Sequence, residues 1–248
     1  MRLAIVAAAA LVLHDTAGAQ DVIWNRTVEA SANLLFGAAT GRVASLTAGV
    51  ARADSGLDLR AEMRFSYADA EDAEGVSSVT ARSSKVLLGI DHHPFARFSP
   101  FAFGSAEANL QQRIAHRYSL GGGAKLRLVP PGDNEASISL ALLWEETRTL
   151  RPEPGVDPSI ALARWSLRFR ANRRLNGVLQ VTHTTLFQPV ADELSRYTAE
   201  TTTGLAVTLN ASLALTVTLQ DRYDSEARGR GASSNHDGQL LFGVRAKF

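Results

Sequence analysis

Histidine is the side chain of this 248-residue chain best suited to acid–base or metal chemistry, and its placement favours neither. His92 and His93 are adjacent, and adjacent residues of an extended chain point to opposite faces, which disfavours joint metal ligation. His183 stands among threonines without an acid beside it, and the chain has no G-x-S-x-G nucleophile motif. We predict no enzymatic activity, no metal and no cofactor. There are two alternatives: a metal ion bound at the His92–His93 pair, and a hydrolase that acts at the surface of a membrane.

Composition disfavours further classes of function. The absence of cysteine excludes disulfides, thiolate metal sites and a cysteine nucleophile. Because 26 Lys and Arg residues are balanced by 25 Asp and Glu, we expect no nucleic-acid-binding face. Gly121-Gly122-Gly123 lacks both the lysine and the helix of a phosphate-binding loop. Small residues at this point predict close packing within a strand instead.

The charged residues follow a regular pattern, because polar and apolar residues alternate along most of the chain. A period of two puts side chains of one kind on one face of a strand. No segment has sustained helical periodicity, and no domain linker is evident, so residues 20–248 are predicted to form one domain. Twelve strands are predicted near residues 26–37, 42–53, 57–68, 82–92, 99–110, 116–128, 135–146, 160–172, 177–187, 196–208, 211–223 and 238–248.

The lengths of these segments predict an all-β fold, a transmembrane antiparallel up-and-down β-barrel of about twelve strands. Most segments exceed the ~5–6 residues of a typical globular strand and match the ~9–11 residues of a tilted transmembrane strand. Connections after even strands are short, whereas residues 69–81, 147–159 and 224–237 form long polar loops. Short turns at one end and long loops at the other are typical of outer-membrane barrels with both termini in the periplasm.

The first 19 residues predict a cleaved secretory signal peptide. Arg2 precedes an apolar run over residues 4–13, and Ala17-Gly18-Ala19 forms a small-residue cleavage site. We therefore expect the mature chain to leave the cytoplasm and to reside in the bacterial outer membrane. Its expected surroundings there are outer-membrane lipid and lipopolysaccharide.

Aromatic residues and the last strand support the same fold. Two aromatic girdles are expected at a membrane, and the predicted topology places aromatic side chains near both ends of the strands. Those near the loops are Phe36, Tyr67, Tyr118, Trp144, Phe187, Tyr197 and Tyr223, and those near the turns are Phe95, Phe98, Phe101 and Phe248. Phe242, Val244, Ala246 and Phe248 share one face of the last strand. This alternation resembles the signal of outer-membrane assembly substrates, which predicts the barrel assembly machinery as a partner.

If the apolar faces contact lipid, the charged faces line the lumen, because an Arg or Lys facing lipid costs ~2–4 kcal/mol at the bilayer midplane. The lumen-lining candidates are Arg60, Glu62, Arg64, Lys85, Glu107, Lys125, Arg127, Arg164, Arg168, Arg170, Glu200, Arg245 and Lys247. The same interpretation adds Glu29, Asp91, Glu135 and Asp221. Acids in the loops are interpreted as solvated, with divalent-cation binding as the alternative; they are Asp72, Glu74, Asp224, Glu226 and Asp237.

The interior admits two interpretations. Near-neutral net charge favours a lumen whose cations pair with its acids. Alternatively, the cations on strands six, eight and twelve form a path for small anionic solutes.

Residues 91–127 resemble the salt-induced outer-membrane protein family, a group of largely uncharacterised barrels. The matching positions are Pro94, Pro100, Glu107, Gln111, Arg113, Arg117 and Gly121 to Gly123. Phe36-Gly37 and Thr40-Gly41 resemble the family's first hairpin, whereas Ala108-Asn109 replaces an expected polar or acidic residue. The resemblance spans most of the mature chain. It implies an outer-membrane barrel linked to salt or osmotic stress and brings no active site.

The predicted function is therefore that of a non-enzymatic component of the Gram-negative envelope. A narrow passive channel for small anions or ions is the first alternative. A barrel that anchors envelope partners through its loops is the second. A soluble lipocalin-like barrel is the alternative fold.

Overall fold

Twelve antiparallel strands close into a single barrel in the computed structural model, which describes residues 24–35, 40–71, 77–129, 134–150 and 157–247. The predicted all-β barrel is confirmed. The predicted signal peptide, Phe36, Asp72, Glu74 and Phe248 lie outside the described residues. The strands are β1 Trp24–Leu35, β2 Thr40–Ala53, β3 Leu57–Glu71, β4 Ser77–His92, β5 Phe98–Asn109, β6 Ile114–Arg127, β7 Asn134–Thr149, β8 Ser159–Arg174, β9 Leu179–Pro189, β10 Tyr197–Thr208, β11 Leu213–Asp224 and β12 His236–Lys247.

The barrel has an up-and-down topology, in which each strand pairs with its neighbours in sequence and β12 pairs back to β1. At this seam Val28 lies opposite Ala246 and Ser31 lies opposite Gly243. A Cβ atom on Gly243 would lie 2.6 Å from the carbonyl oxygen of Ala30, so the seam requires glycine there. The seam pairs residues 27–31 of β1 with residues 243–247 of β12, and this pairing closes the sheet into a barrel. No helix within the described residues is long and apolar enough to cross a membrane.

Three short turns are stabilised by the same kind of hydrogen bond, from backbone N–H groups to an Asp or Asn side chain. The Oδ1 atom of Asp54 accepts hydrogen bonds from the backbone N–H groups of Gly56 and Leu57 at 2.8 and 2.7 Å. Asn176 and Asn210 each accept two such bonds at the corresponding positions of their turns. These backbone N–H groups, together with Arg52, lower the pKa of the Asp54 carboxyl below its ordinary value. Asp and Asn are favoured at such positions because their side chains replace a backbone acceptor.

The outer face of the barrel carries a broad apolar band. Half or more of the surface of Leu120, Leu140 and Phe242 is exposed. Further exposed apolar side chains on this face are Met63, Phe65, Val86, Leu88, Leu142, Trp144, Trp165, Leu167, Leu215, Leu219 and Val244. A contiguous apolar surface of this extent requires an apolar environment.

Aromatic side chains cluster at the end of the barrel that carries the long connections. The ring of Tyr197 lies 5.2 Å from Phe187 and 5.1 Å from Tyr223. At the opposite end Phe95 and Phe98 are exposed. The prediction for Phe101 was wrong, because its ring packs on Phe103 inside the barrel, 6.1 Å away.

The triple glycine of β6 serves packing against β7. A Cβ atom on Gly123 would lie 2.0 Å from the carbonyl oxygen of Leu140 and 2.7 Å from the Cβ of Ala141. A Cβ on Gly121 would lie 2.7 Å from the Cβ of Leu143. The two strands therefore approach too closely for any larger residue at Gly121 or Gly123.

Candidate functional site

Most of the ion pairs among the described residues lie in the barrel interior, which falls into two halves. We call the end with the short turns and both termini the turn end, and the opposite end the loop end. The described residues contain no cluster of three or more potential metal ligands. The candidate site is therefore the charged lumen itself.

Five charged side chains meet across the lumen in the loop half, and we call them the crossing cluster. Glu200 of β10 accepts a hydrogen bond from Arg64 of β3 at 3.2 Å and from Lys85 of β4 at 2.9 Å. Glu107 of β5 pairs with Arg222 of β11. Five strands separate β4 from β10 in either direction around the barrel, and the same is true of β5 and β11. These ion pairs therefore join opposite walls and cross the lumen.

A second group of ion pairs, the mouth cluster, lies nearer the loop end. Arg164 donates from Nε to Glu145 at 3.0 Å and from Nη2 to Glu226 at 3.3 Å. Arg117 lies 3.5 Å from the same Glu145 and donates to Asp224 at 3.1 Å. The exposed fractions are 1% for the side chain of Arg164, 6% for Arg117 and 4% for Glu145. Charges buried this deeply are stable only when paired, so the cluster is a fixed part of the structure.

Residues 225–235, which we call the mouth loop, extend across the barrel entrance. The loop connects β11 to β12 and contains a 3₁₀ turn at Arg228–Arg230. Arg230 donates from Nε to the carbonyl oxygen of Gln112 at 3.2 Å, and Arg113 donates to that of Gly231 at 3.1 Å. Gln112 and Arg113 belong to the β5–β6 turn on the opposite wall.

Two further contacts hold the mouth loop in place. Arg230 donates from Nη2 to Asp224 at 2.6 Å. Glu226 of the loop accepts a hydrogen bond from Arg196 at 2.6 Å, and this contact raises the pKa of the Arg196 guanidinium. The mouth loop is thus tied to three parts of the rim.

Two cavities border the crossing cluster. A cavity of about 80 Å³ lies beside the crossing cluster, between residues of β2 to β5 and β10 to β12. A second cavity of about 40 Å³ lies on the other side of Lys85, Glu107, Glu200 and Arg222, toward Phe103 and Arg168. Cavities of this size hold a few water molecules. The crossing cluster separates them.

The turn half of the lumen, which we call the vestibule, has surplus positive charge. Each of its acids already has a basic partner; the pairs are Asp58–Arg60, Glu62–Arg64, Asp91–Lys125, Glu135–Arg127 and Glu29–Arg245. Among the described residues, no carboxylate lies within 4.0 Å of Arg168, Arg170 or Lys247. Arg168 instead lies over the ring of Phe103, at 5.8 Å from its centroid.

The vestibule is also open to solvent. The exposed fraction of the side chain is 41% for Arg60, 36% for Glu62 and 32% for Arg245. Arg170 is exposed as well, although alternation along β8 points it inward. Ion pairs therefore cross the lumen at the loop end, whereas wall-bound pairs and unmatched cations line it at the turn end.

A protein-family model described as "Protein of unknown function, DUF481" matches residues 28–248, which is nearly the whole barrel. The chain belongs to this family. No curated protein matches the chain.

Three solved barrels resemble this DUF481 chain at low identity. The KdgM porin is 12% identical with a TM-score of 0.47, over 90% of this chain and 99% of that one. The NanC porin is 8% identical with a TM-score of 0.49, over 89% and 97%. The translocator domain of the autotransporter NalP from Neisseria meningitidis is 10% identical with a TM-score of 0.43, over 90% and 86%. Similarities this low carry no inference about function.

The predicted lumen residues fall into three groups in the structure. Arg64, Lys85, Glu107 and Glu200 join the crossing cluster, and Arg164 joins the mouth cluster. Arg60, Glu62, Lys125, Arg127 and Arg245 form ion pairs in the vestibule. Arg168, Arg170 and Lys247 make up the surplus. Phe242 and Val244 of the predicted assembly signal are exposed on the outer face of β12, and Ala246 follows them in the same alternation.

Sequence reasoning misassigned one residue of β11 and missed its neighbour. Asp221 shares the outer face with Leu219, opposite Gly238 of β12, and does not face the lumen. Arg222 faces inward instead and pairs with Glu107. Strict alternation from Thr216 and Thr218 would have found Arg222.

The mouth cluster was also missed. Asp224 and Glu226 were expected to be solvated loop acids, and this was wrong, because both are ion-paired across the mouth. Glu145 gave little signal, because the inner face of β7 also carries Ala141 and Leu143 and so is not uniformly polar.

The histidines considered above lie at a turn and on the outer face of the barrel. The rings of His92 and His93 lie 4.0 Å apart in the β4–β5 turn. His183 lies on the outer face of β9, where its ring nitrogens each lie 2.9 Å from a hydroxyl, that of Thr203 or Thr185.

Proposed function

We propose that this protein is a non-enzymatic integral protein of the bacterial outer membrane, with both termini in the periplasm. The apolar outer face supports membrane insertion, because bilayer-spanning barrels carry such a band. Residues 1–19 serve as the export signal in this proposal, and the face that carries Phe242, Val244 and Ala246 is read by the assembly machinery. Lipid and lipopolysaccharide then surround the apolar band.

We further propose that the lumen is closed to solutes in its loop half. The observation that carries this is the crossing cluster, whose ion pairs join opposite walls. The mouth cluster adds a second closure, because Arg164 and Glu145 are almost completely buried there. A solute crossing the barrel has to break both sets of pairs, and each broken buried pair leaves an uncompensated charge.

The test is electrical recording from the pure protein in planar lipid bilayers. A closed lumen predicts no unitary conductance above background. The matched variant removes the whole crossing cluster together with the acid beside Arg64, so that none of these charges is left unpaired: Arg64→Ala, Lys85→Ala, Glu107→Ala, Glu200→Ala and Arg222→Ala with Glu62→Gln. Because the mouth cluster still closes the lumen in this variant, conductance is expected only when Arg117→Ala, Glu145→Ala, Arg164→Ala and Asp224→Ala are added. Steady conductance by the unmodified protein would overturn the proposal.

A narrow passive channel for small anions is the second candidate function. The surplus of Arg168 and Arg170 favours it, because cationic walls select anions. It requires the crossing cluster to open. Reversal potentials in a salt gradient separate the two candidates, since a channel gives anion-selective current and a closed lumen gives none.

A role in salt or osmotic stress rests on the family resemblance. It predicts that a strain lacking the protein grows normally in standard medium and poorly at high salt. Equal growth of the deletion and parent strains at every salt concentration would count against the role.

A further inference from the structure

The vestibule contains two arginines that the ion pairs of the interior leave unmatched. Arg168 and Arg170 stand two residues apart on β8, so their side chains project from the same face, with Cα atoms about 6–7 Å apart. Both lie within electrostatic range of Arg60 on β3, a strand on a distant part of the barrel wall. Arg60 itself is hydrogen-bonded to Asp58, so the unmatched guanidinium groups are those of Arg168 and Arg170.

The acids near these arginines do not neutralise them. Glu135, Glu62 and Asp58 lie within electrostatic range of Arg170, and Asp91 and Glu200 lie within range of Arg168. Each of these carboxylates is ion-paired with another cation: Glu135 with Arg127, Glu62 with Arg64, Asp58 with Arg60, Asp91 with Lys125, and Glu200 with Arg64 and Lys85. The arginine pair therefore keeps two positive charges that the protein does not match.

The surroundings of Arg168 and Arg170 favour a bound anionic ligand over freely exchanging counter-ions from the solvent. Arg168 lies over the ring of Phe103, which fixes one guanidinium at the inner end of the vestibule. Arg170 lies toward the turn end and is exposed, so a ligand from that side reaches it without displacing a paired side chain. The guanidinium fork binds carboxylate and phosphate oxygens two at a time.

We propose that Arg168 and Arg170 form a binding site for a small oxyanion with two negative charges, such as phosphate or a dicarboxylate. Two charges match the local surplus, and the oxygens of one such ligand reach both guanidinium groups. The site opens only to the turn end. It therefore captures a solute from that side and does not pass it through, which rests on the closed lumen proposed above.

The test is isothermal titration of inorganic phosphate and, separately, of succinate into the folded protein in detergent micelles at low ionic strength. We expect saturable binding of at least one of the two at a single site. Arg168→Gln with Arg170→Gln should weaken it about tenfold or more, because two charge-assisted contacts are lost. Arg168→Lys with Arg170→Lys keeps the charge and loses the fork, so it should bind with intermediate affinity. Circular dichroism verifies that each variant is folded.

Arg173→Gln is the matched control, because it removes the same charge from the other face of the same strand and should bind as the unmodified protein does. Failure of both anions to bind, or equal binding by the Arg168→Gln/Arg170→Gln variant, overturns the site. In micelles both ends of the barrel face buffer. Conductance in bilayers would therefore contradict the closed lumen without changing this result.

Discussion

The two halves of one barrel interior use charge in opposite ways. In the loop half, cations and acids pair across the lumen, and Arg117, Glu145 and Arg164 are almost inaccessible to water. In the turn half, pairs such as Asp58–Arg60 and Glu62–Arg64 stay along the wall, and solvent reaches Arg60 and Glu62, although Asp58 is buried. The same residue types therefore form ion pairs across the lumen in one half and a cationic wall in the other. Whether a charged residue has a partner on the opposite wall decides to which of the two arrangements it belongs.

The largest expected difference between the halves is in stability. Glu145→Gln removes the acid between two buried arginines and should lower the free energy of unfolding by about 3–5 kcal/mol. Glu135→Gln, in the vestibule, should lower it by no more than about 1 kcal/mol, because its pair with Arg127 is long, at 3.7 Å, and partly exposed. Denaturant unfolding of the refolded barrel in lipid vesicles measures both. Equal losses would show that the halves do not differ in burial.

Backbone packing in the turn half provides a smaller effect. Gly123→Ala places a methyl group against the backbone of β7 and should cost about 1–3 kcal/mol. Gly89→Ala on β4 is the control, because nothing lies within 4 Å of its added Cβ. The same unfolding experiment applies. A Gly123→Ala variant as stable as Gly89→Ala would mean that β6 and β7 are farther apart than described.

The smallest effect concerns the surplus charge of the vestibule. Arg170→Gln should stabilise the barrel slightly, by about 0.5 kcal/mol or less at low salt, since it relieves repulsion between exposed like charges. At 1 M salt the screening length falls to about 3 Å and the gain should disappear. Arg173→Gln on the outer face should show no such salt dependence. A loss of stability at low salt would indicate that Arg170 has an acidic partner.

The sequence predicted the barrel well, because a period of two is imposed by the strand itself and repeats over twelve strands. It also predicted which face of most strands carries charge, since charges in lipid are costly. It did not predict which charges meet. The pairing of Glu200 with Lys85 depends on the curvature that brings β10 opposite β4, and one sequence does not contain that information.

The mouth loop was harder still to predict. Its residues have the composition of a solvated loop, and only its fold across the entrance buries Asp224. The error at Asp221 has a simpler cause. Asp221 and Arg222 are both charged, so charge alone does not show which of the two points inward, and the register of β11 decides it.

Closure of the loop half is the central claim, and one-sided thiol labelling tests it most directly. The chain has no cysteine, so a single introduced cysteine is the only thiol that the reagent can label. Thr184→Cys introduces a thiol on the inner face of β9, opposite Arg170, and Ser233→Cys marks the loop end.

The protein is inserted into vesicles in one orientation, and a membrane-impermeant anionic thiol reagent is added to one side at a time. A closed mouth predicts that the Thr184→Cys variant reacts only from the turn side, while the Ser233→Cys variant reacts only from the loop side. Equal reaction of the Thr184→Cys variant from both sides would show a continuous aqueous path and contradict the claim.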